Sequence, residues 1–374
     1  MKGKAYILFV VLLLLDSCIN RVDLDAELVN NSDFVVDGFI SNKKGPYQVR
    51  LYIPSNAEDN VLFPEPIAAR EVSIHADDGS SEVLAGIGSG VYQTKPDGIR
   101  GEIGKKYKIK IELLDGSIFE STPEEVLPVD SIDQLSYTFQ SFKPLQGPTQ
   151  YGFKVFMDTK NRYGPVRWRF TGTYVVETFP QFRLSPRVCR MGIPDPPPCS
   201  GYRRTASNTI ENFASCTCCI CWVSENEPKP YLSDEVIASD GTFKNIDVGY
   251  IPFDVWRFHY QRYMVKVEQM SLTTEARAFW KIIQDQKQGS GSLFQPSLGT
   301  ITTNLVSLNS RRRAFGFFYA TAISEKVIFI HASDAAIPVP DFDRPGEEVC
   351  PQFWNECDVA WLNASRTQPP EWED

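Results

Sequence analysis

Hydrophobic and polar residues alternate along much of the chain with a period of two. Residues 107–113 show this most clearly, since tyrosine, isoleucine and leucine alternate there with lysine and glutamate. Asp115 and Gly116 follow, a pair typical of the tight turn of a β-hairpin. A period of two places successive side chains on opposite faces of a strand. Several such segments, with no helical period among them, predict a small N-terminal β-sandwich over 34–128.

A second block of strands follows a linker-like segment at 127–133. Alternation resumes at 151–157 and 166–176, and it predicts a second, larger β-domain over 134–374. Residues 178–235 lose all period and contain many proline, cysteine and asparagine residues. We interpret them as a long Cys-rich insertion, because domains rarely carry such a segment unless it is functional or cross-linked.

The second domain contains one convincing helix, predicted over 273–288. Its apolar residues recur at i, i+3, i+4 and i+7, Glu275 lies in its first turn, and Gly289 ends it. Two nearly continuous apolar runs follow at 315–322 and 327–331. Such runs are typical of strands that are covered on both faces, so both are predicted to be central in a sheet.

Polar side chains form one face of two predicted strands. Gln48 and Arg50 share a face in the first domain. Arg167 and Arg169 begin a similar face in the second domain, which continues with threonines. The arginine face is either solvated or a contact surface, and solvation is the commoner case for a charged strand face.

The N-terminus has the pattern of an exported lipoprotein. Two lysines precede an uncharged apolar run of about 11 residues, too short for the roughly 20 residues of a membrane-spanning helix. The residues after it resemble a bacterial lipobox, in which Cys18 would be acylated and become the first residue of the mature chain. Asp16 departs from that pattern, so an ordinary secretory signal with a chance cysteine is the alternative. We predict a signal peptide over 1–17, a diacylglycerol and acyl anchor on Cys18, and a flexible leader over 18–33.

Charge and composition narrow the class of protein. The 38 Lys and Arg residues against 47 Asp and Glu residues give a formal net charge of −9, which argues against nucleic acid as a partner. Hydrophobic residues at 42% and charged residues at 23% match ordinary globular usage, which excludes intrinsic disorder and a polytopic membrane protein. The 26 prolines and 24 glycines favour a turn-rich β protein.

The cysteines predict disulfides. Eight remain of the nine once Cys18 is set aside, and an even number in an exported chain fits a disulfide framework. A thiolate metal site is the alternative, because a CxCCxC run places four soft ligands within six residues. This run lacks the two separated CxxC knuckles of a zinc ribbon, so disulfides are favoured and no metal site is predicted. Cys218 and Cys219 are adjacent, so each is expected to pair elsewhere, and the connectivity stays open. The candidates are Cys189, Cys199, Cys216, Cys218, Cys219, Cys221, Cys350 and Cys357.

No motif with catalytic spacing occurs in the chain. HExxH, GxSxG, GxxxxGK[ST] and a GxGxxG that opens a helix are all absent, and three histidines leave little material for His-based chemistry. A glycine-rich segment at 86–90 lies between two predicted strands, so a hairpin turn explains it better than a phosphate-binding loop. The chain is therefore predicted to be non-catalytic, with no cofactor besides its lipid.

One set of segments, spread over most of the chain, carries a family resemblance. They are 34–40, 45–51, 90–92, 104–107, 128–133, 269–273, 279–280, 291–294, Asn304, 316–318 and 370–372. Together they resemble the Bacteroidota lipoproteins grouped as domain of unknown function 4249 (DUF4249). These segments are turns, core aromatics and strand starts, so the resemblance identifies a fold better than an activity. The expected fold is all-β, with an immunoglobulin-like or transthyretin-like N-terminal sandwich and a larger second β-domain that carries one helix. The CxCCxC run and Asp16 depart from the family's pattern.

The resemblance also implies a location and a role. Such proteins look like outer-membrane lipoproteins, lipid-anchored and exposed at the cell surface or facing the periplasm. They are commonly thought to accompany TonB-dependent receptors, which implies an accessory in the capture or uptake of a substrate. A scaffold subunit of an outer-membrane protein assembly complex is the alternative, and the missing motifs disfavour an enzyme. An accessory is expected to show a pocket of aromatic and polar side chains, and a scaffold a flat apolar patch.

One modification site is implied as well. Asp130-Ser131-Ile132 resembles the D-[ST]-aliphatic O-glycosylation signal of this phylum, which marks Ser131 as a candidate acceptor.

Overall fold

Strands dominate the structure, and the predicted all-β class is confirmed. The computed structural model describes residues 33–53, 64–143, 148–181, 195–227, 230–233, 241–289, 303–340, 355–361 and 363–372. In chain order the strands are β1 (Phe34–Ser41), β2 (Gln48–Ile53), β3 (Glu65–Pro66), β4 (Ala69–Ala76), β5 (Ser81–Val83), β6 (Ala85–Gly88), β7 (Val91–Gln93), β8 (Lys106–Leu113), β9 (Ile118–Ser121), β10 (Glu124–Glu125), β11 (Ile132–Phe142), β12 (Gln150–Lys160), β13 (Val166–Glu177), β14 (Tyr202–Arg204), β15 (Ile210–Asn212), β16 (Ile220–Asn226), β17 (Tyr231–Leu232), β18 (Thr242–Pro252), β19 (Arg262–Ser271), β20 (Leu305–Ser307), β21 (Ala314–Thr321), β22 (Ile323–His331) and β23 (Ala364–Ser365). The α-helices of the described residues are α1 (Val255–Phe258), α2 (Thr274–Gly289) and α3 (Cys357–Ala360).

The first β-sandwich consists of two sheets that enclose one core. Sheet A has the strand order β21-β1-β2-β7-β6 with β3 beside β2, and sheet B has the order β20-β9-β8-β4-β5 with β10 beside β8. Phe34 and Val36 of sheet A share a buried cluster with Ile109 and Phe119 of sheet B. The alternation at 107–113 is the burial pattern of β8, whose tyrosine, isoleucines and leucine are buried while its lysines and its glutamate are not.

Two strands from late in the chain belong to this first sandwich, which corrects the predicted division into 34–128 and 134–374. β21 pairs with β1 in parallel over eight residues, from Phe34 opposite Ala314 to Ser41 opposite Thr321. β20 pairs with β9 in sheet B. The predicted division followed the order of the strands along the chain and missed this pairing. Local alternation predicts that a segment is a strand, but it does not show which distant strand it pairs with.

The second sandwich consists of sheets C and D. Sheet C has the order β11-β12-β18, and sheet D has the order β22-β19-β13-β16-β23 with β17 beside β13. Their inward side chains, including Phe153, Trp168 and Val265, form the second large core. The segment 178–235, predicted as an insertion, contributes β16 and β17 directly to sheet D. Its cysteine-rich composition concealed a strand whose Cys221 and Val223 point into the core.

The predicted helix over 273–288 is observed as α2, and its apolar stripe packs on the outer face of β21. Phe279 of α2 stacks against Phe317 of β21, with ring centroids 5.4 Å apart. β21 is therefore covered on both faces, by the first core and by α2, although it is an edge strand of sheet A. The prediction that β21 and β22 are central in a sheet was wrong. A continuous apolar run indicates that both faces of a strand are covered by other residues, but it does not indicate where the strand lies in the sheet. None of the helices in the described residues is long and apolar enough to span a bilayer.

The two sandwiches meet at a hydrogen-bonded junction around the end of β19. Ser271 donates from its hydroxyl to the carbonyl oxygen of Leu127 at 2.7 Å and accepts the amide of Ala322 at 2.8 Å. Thr321 donates its hydroxyl to the carbonyl oxygen of Ser271 at 2.8 Å. The chain crosses between the sandwiches three times, after β10, after β19 and between β21 and β22, and the bonds of Ser271 bring these three crossings together.

Next to this junction, a buried glutamine of β19 ties the linker to sheets C and D of the second sandwich. The Oε1 atom of Gln269 accepts from Thr159 Oγ1 at 2.9 Å and from Trp168 Nε1 at 2.8 Å. Its Nε2 atom donates to the carbonyl oxygens of Asp130 and Lys160, both at 3.0 Å. The side chain is fully buried, and these four bonds use the complete capacity of its amide.

A buried carboxyl group also lies at the junction, next to the start of α2. Thr273 donates its hydroxyl to Oε2 of Glu124 at 2.6 Å and accepts the amide of Ala276, which makes Thr273 the N-cap of α2. Burial raises the pKa of Glu124 from 4.5 to about 7. The folded protein therefore holds a proton on Glu124 through mildly acidic pH, where an unfolded glutamate would ionise.

Glu124 should make the protein less stable as the pH rises. Between pH 4.5 and about 7 the folded state binds more protons at Glu124 than the unfolded state does, so the free energy of unfolding falls with pH over this window and levels off above it. The loss should reach up to about 3 kcal/mol. Chemical denaturation at pH 5 and pH 8 should show that Glu124→Gln, whose amide oxygen still accepts from Thr273, removes this pH dependence.

The matched control is Glu125→Gln, at the partly buried next residue of β10. It should leave the difference between the two pH values unchanged. An equal pH dependence in wild type and Glu124→Gln would contradict the assignment.

Candidate functional site: a cleft between the two sandwiches

The outer faces of sheets A and D enclose a cleft. In β1 the side chains of Phe34 and Val36 point into the first core, so Asp37 and Phe39 point outward by strand alternation. In β13 the residues that alternate with Trp168 and Phe170 are the arginines 167 and 169, which point toward sheet A. The polar strand faces recognised in the sequence therefore face each other across one space.

The cleft has a volume of about 480 Å³. We call it the inter-sandwich cleft. It is lined by Asp37, Gly38, Phe39, Pro46, Tyr47, Gln48, Arg50, Arg167, Arg169, Asn226, Trp280 and Tyr319. Its volume falls within the roughly 300–1,000 Å³ of small-molecule sites.

Arg167 is held between two aromatic side chains. Its guanidinium carbon lies 3.6 Å from the centroid of the Trp280 ring, and its Nη1 donates to the hydroxyl of Tyr319 at 3.3 Å. Its Nε is buried and has no hydrogen-bond partner in the described part of the chain. Burial lowers the pKa of Arg167, yet an arginine keeps its charge at neutral pH. The structure thus fixes a positive group in the cleft and leaves one donor of it unused.

Arg169 has a different environment, because its charge is compensated. Its Nε donates to Oε2 of Glu268, the residue directly opposite on β19, at 2.5 Å. The Arg169 guanidinium also lies 5.6 Å from the centroid of the Phe39 ring. Glu268 is itself buried, so this ion pair is shielded from solvent and fixes the position of both side chains.

The aromatic wall of the cleft comes from three elements. Trp280 of α2 meets Tyr319 of β21 edge to face, with centroids 5.9 Å apart, and Tyr319 stacks on Phe39 of β1 at 5.4 Å. Burial raises the pKa of Tyr319, so its hydroxyl stays protonated at neutral pH. The Trp280 Nε1 donor is buried and has no partner among the described residues. The wall therefore supplies flat apolar surface next to unused polar groups.

Three of the four charged side chains that line the cleft are arginines. Arg50 lies opposite Asp37 in the β1–β2 register, and Arg169 is paired with Glu268. Arg167 forms no ion pair with a carboxylate in the residues that the structure describes. In a chain with a net charge of −9, this cleft is locally positive. Its chemistry suits the binding of a small ligand by charge, hydrogen bonds and aromatic contact.

The candidate residues from the sequence lie away from the cleft or outside the described residues. Cys18, Cys189 and Cys350 are outside the described residues. Ser131 is exposed and directly precedes β11, where a modifying enzyme can reach it.

The six described cysteines form disulfides. For these six, this confirms the prediction of disulfides, which was favoured over a thiolate metal site. The pairs are Cys199–Cys218, Cys216–Cys219 and Cys221–Cys357. Cys218 and Cys219 do pair elsewhere, as expected, although the local partner of Cys219 was not foreseen. The Cys221–Cys357 bond joins β16 to α3 across 136 residues and ties the C-terminal segment to the second core.

Sequence reasoning missed most of the aromatic wall. Trp280 was interpreted as part of the buried stripe of α2, and no pattern connected it with Arg167. Tyr319 lies inside an apolar run that predicted only a covered strand. The sequence did contain one signal. It is the pair of arginines on one face of a strand whose opposite face is aromatic, a pattern that fits a contact surface as well as a solvated face.

Comparison with known proteins identifies a family. A family model described as "Domain of unknown function (DUF4249)" matches residues 20–327. No curated protein matches the chain. Among solved structures the chain is similar to a crystal structure of trypsin activated alpha-2-macroglobulin from Escherichia coli, with 10% sequence identity and a TM-score of 0.18. The alignment covers 65% of this chain and 14% of that chain, and it carries no argument about fold or function.

Proposed function

The chain belongs to the DUF4249 family, and we propose that it is a non-catalytic lipoprotein of the outer membrane that captures a small substrate for a TonB-dependent receptor. The inter-sandwich cleft carries this proposal. A binding accessory needs a pocket in which aromatic and polar side chains converge, whereas a scaffold needs a broad apolar patch. The cleft has the first character, since Arg167, Trp280 and Tyr319 converge in it.

The lining of the cleft supports binding rather than catalysis. Asp37 is the one carboxylate among the described lining residues, and the remaining polar side-chain groups are guanidinium, amide, hydroxyl and indole N–H groups. Paired acids or a nucleophile next to a base would be expected for hydrolysis or acyl transfer. Fixed cations and rings instead recognise a ligand and leave it unchanged.

The lipobox-like Cys18 supports the attachment to a membrane. Acylation at Cys18 would tether the first β-strand, which begins at Phe34, to the membrane surface through the leader. From that position a substrate held in the cleft can be passed to a neighbouring barrel over a short distance.

Co-purification from native membranes tests this role. The full-length tagged protein is solubilised in mild detergent, captured, and its partners are identified by mass spectrometry. We expect a TonB-dependent receptor in a near-equal amount. The control is Cys18→Ser, which should leave the membrane fraction and lose the receptor.

Two outcomes would contradict the proposal. Subunits of an outer-membrane protein assembly complex in place of a receptor would favour the scaffold alternative. Capture of the lipoprotein alone, from membranes in which the receptor is detected, would show that it acts without one.

A further inference from the structure

We propose that the inter-sandwich cleft binds a small organic anion, with Arg167 as the residue that holds its carboxylate or phosphate group. This inference deepens the proposed function and rests on its assignment of the cleft as the ligand site. It names a chemical class for the substrate, which neither the family description nor the sequence motifs supply.

The geometry of Arg167 suits an oxyanion. A guanidinium stacked on an indole ring is held in one plane, and its N–H donors then point outward along the edges of that plane. One edge is occupied, because Nη1 donates to Tyr319. Nε has no partner although it is buried, and an unpaired buried donor costs about 1–3 kcal/mol. An oxyanion in the cleft would form charge-assisted hydrogen bonds with this guanidinium, and it would remove the cost at Nε once the side chain turns that donor toward it.

The local balance of charge in the cleft also favours an anion. Glu268 already compensates Arg169, and Asp37 lies opposite Arg50 in the strand register. Arg169 is therefore the one guanidinium of the cleft with an ion pair to a carboxylate in the described residues, and Arg167 and Arg50 share the single lining carboxylate, Asp37. A cationic ligand would meet this net positive charge directly, whereas an anionic ligand would neutralise it in a partly dehydrated space where the attraction is strong.

The cleft is accessible to a ligand from solvent. Asp37, Gln48, Arg50 and Asn226 are exposed where they line the cleft, while Tyr47 and Tyr319 are buried. The cleft is thus open at a polar rim and closed at an aromatic base. A ligand can enter with its anionic group toward Arg167 and place a compact apolar part against the rings. A volume of about 480 Å³ accommodates a molecule of this size.

Four probes of similar shape test the inference on the full-length protein by isothermal titration calorimetry. Benzoate carries a carboxylate and phenyl phosphate a phosphate, benzamide is neutral, and benzamidine is the cationic counterpart of benzoate. We expect benzoate or phenyl phosphate to bind at least about tenfold more tightly than benzamide, and benzamidine not to bind. The tighter of the two anions distinguishes a carboxylic acid from a phosphate ester as the natural ligand.

Variants assign the binding to the cleft. Arg167→Gln should weaken binding of the tighter anion by about tenfold or more. The matched control is Arg203→Gln, because Arg203 also lies over an aromatic ring, 5.3 Å from the centroid of Phe213, but outside the cleft. Arg50→Gln is a second test at an exposed position, where a change of side chain is least harmful to folding, and it should weaken binding severalfold.

Several results would overturn the inference. These are equal affinities for benzamide and benzoate, unchanged binding in Arg167→Gln, or an equal loss in Arg203→Gln. If Arg167→Gln does not fold, unchanged binding in Arg50→Gln at low salt overturns it instead. Anion binding without receptor co-purification would refute the receptor role alone, and a co-purified receptor with no anion binding would refute this inference alone.

Discussion

Replacing Gln269 by leucine is expected to lower the free energy of unfolding by about 4 kcal/mol. Leucine has a similar size, so the loss arises from hydrogen bonds and not from a cavity. The indole of Trp168 and the hydroxyl of Thr159 would each lose an acceptor, and the carbonyls of Asp130 and Lys160 would lose a donor. Because the site is fully buried, water cannot replace these partners without opening the junction.

Equilibrium denaturation followed by tryptophan fluorescence measures this effect. The matched control is Gln140→Leu, at an exposed position of β11, which should change the free energy of unfolding by no more than about 0.5 kcal/mol. Gln269→Glu is a sharper test. It keeps the acceptor for Trp168, but it replaces the amide nitrogen by a second oxygen that faces two carbonyl oxygens and cannot donate to them when ionised. If Gln269→Leu were as stable as Gln140→Leu, the amide would not be holding the junction.

The hydrogen bonds of Gln269 give a structural role to two of the segments that carry the family resemblance. The segments 128–133 and 269–273 were recognised in the sequence as family features without any chemical role. In the structure they meet, since Gln269 bonds to the backbone of Asp130, and Ser271 bonds to that of Leu127, which directly precedes the first segment. These segments therefore specify how the two sandwiches are joined. A sequence pattern can mark such residues, but only the folded chain shows that they touch.

Local properties of the fold were predictable and distant ones were not. The strand β8, the hairpin after it and the helix α2 follow from alternation, turn residues and a helical stripe, all of which are properties of neighbouring residues. The placement of β21 beside β1 depends on contacts such as the ion pair of Asp33 with Arg313, 280 residues apart. No period in the sequence records an association over that distance.

The same distinction holds for the cleft. The sequence identified the Arg50 and Arg167 faces separately, because each follows from the alternation of one strand. That they enclose a common space depends on the angle between the two sandwiches, which the hydrogen bonds of Ser271 at the junction help to fix. The sequence therefore predicted the polar faces that build the site and could not predict the site.

Replacing Gly316 by alanine is expected to destabilise the protein by about 4 kcal/mol, or to prevent folding of the first sandwich. Gly316 has a φ of +96°, and a Cβ there would lie 2.1 Å from the carbonyl oxygen of Val36. Val36 is its direct partner in the parallel β1–β21 ladder, so the new methyl group would collide with backbone that has no freedom to move away. β21 would have to separate from β1 near its centre.

Gly79→Ala separates this collision from backbone strain. Gly79 has a similar φ of +87°, but nothing lies within 4 Å of the position of its Cβ. It should cost only about 1–2 kcal/mol, so the difference between the two variants measures the contact between β21 and β1. Tyr319 lies three residues beyond Gly316 on the same strand and holds Arg167, so any folded Gly316→Ala protein should also bind the anionic probe more weakly than Gly79→Ala. Equal stabilities and equal affinities in the two variants would mean that β21 is not packed against β1, and that the cleft does not depend on this strand.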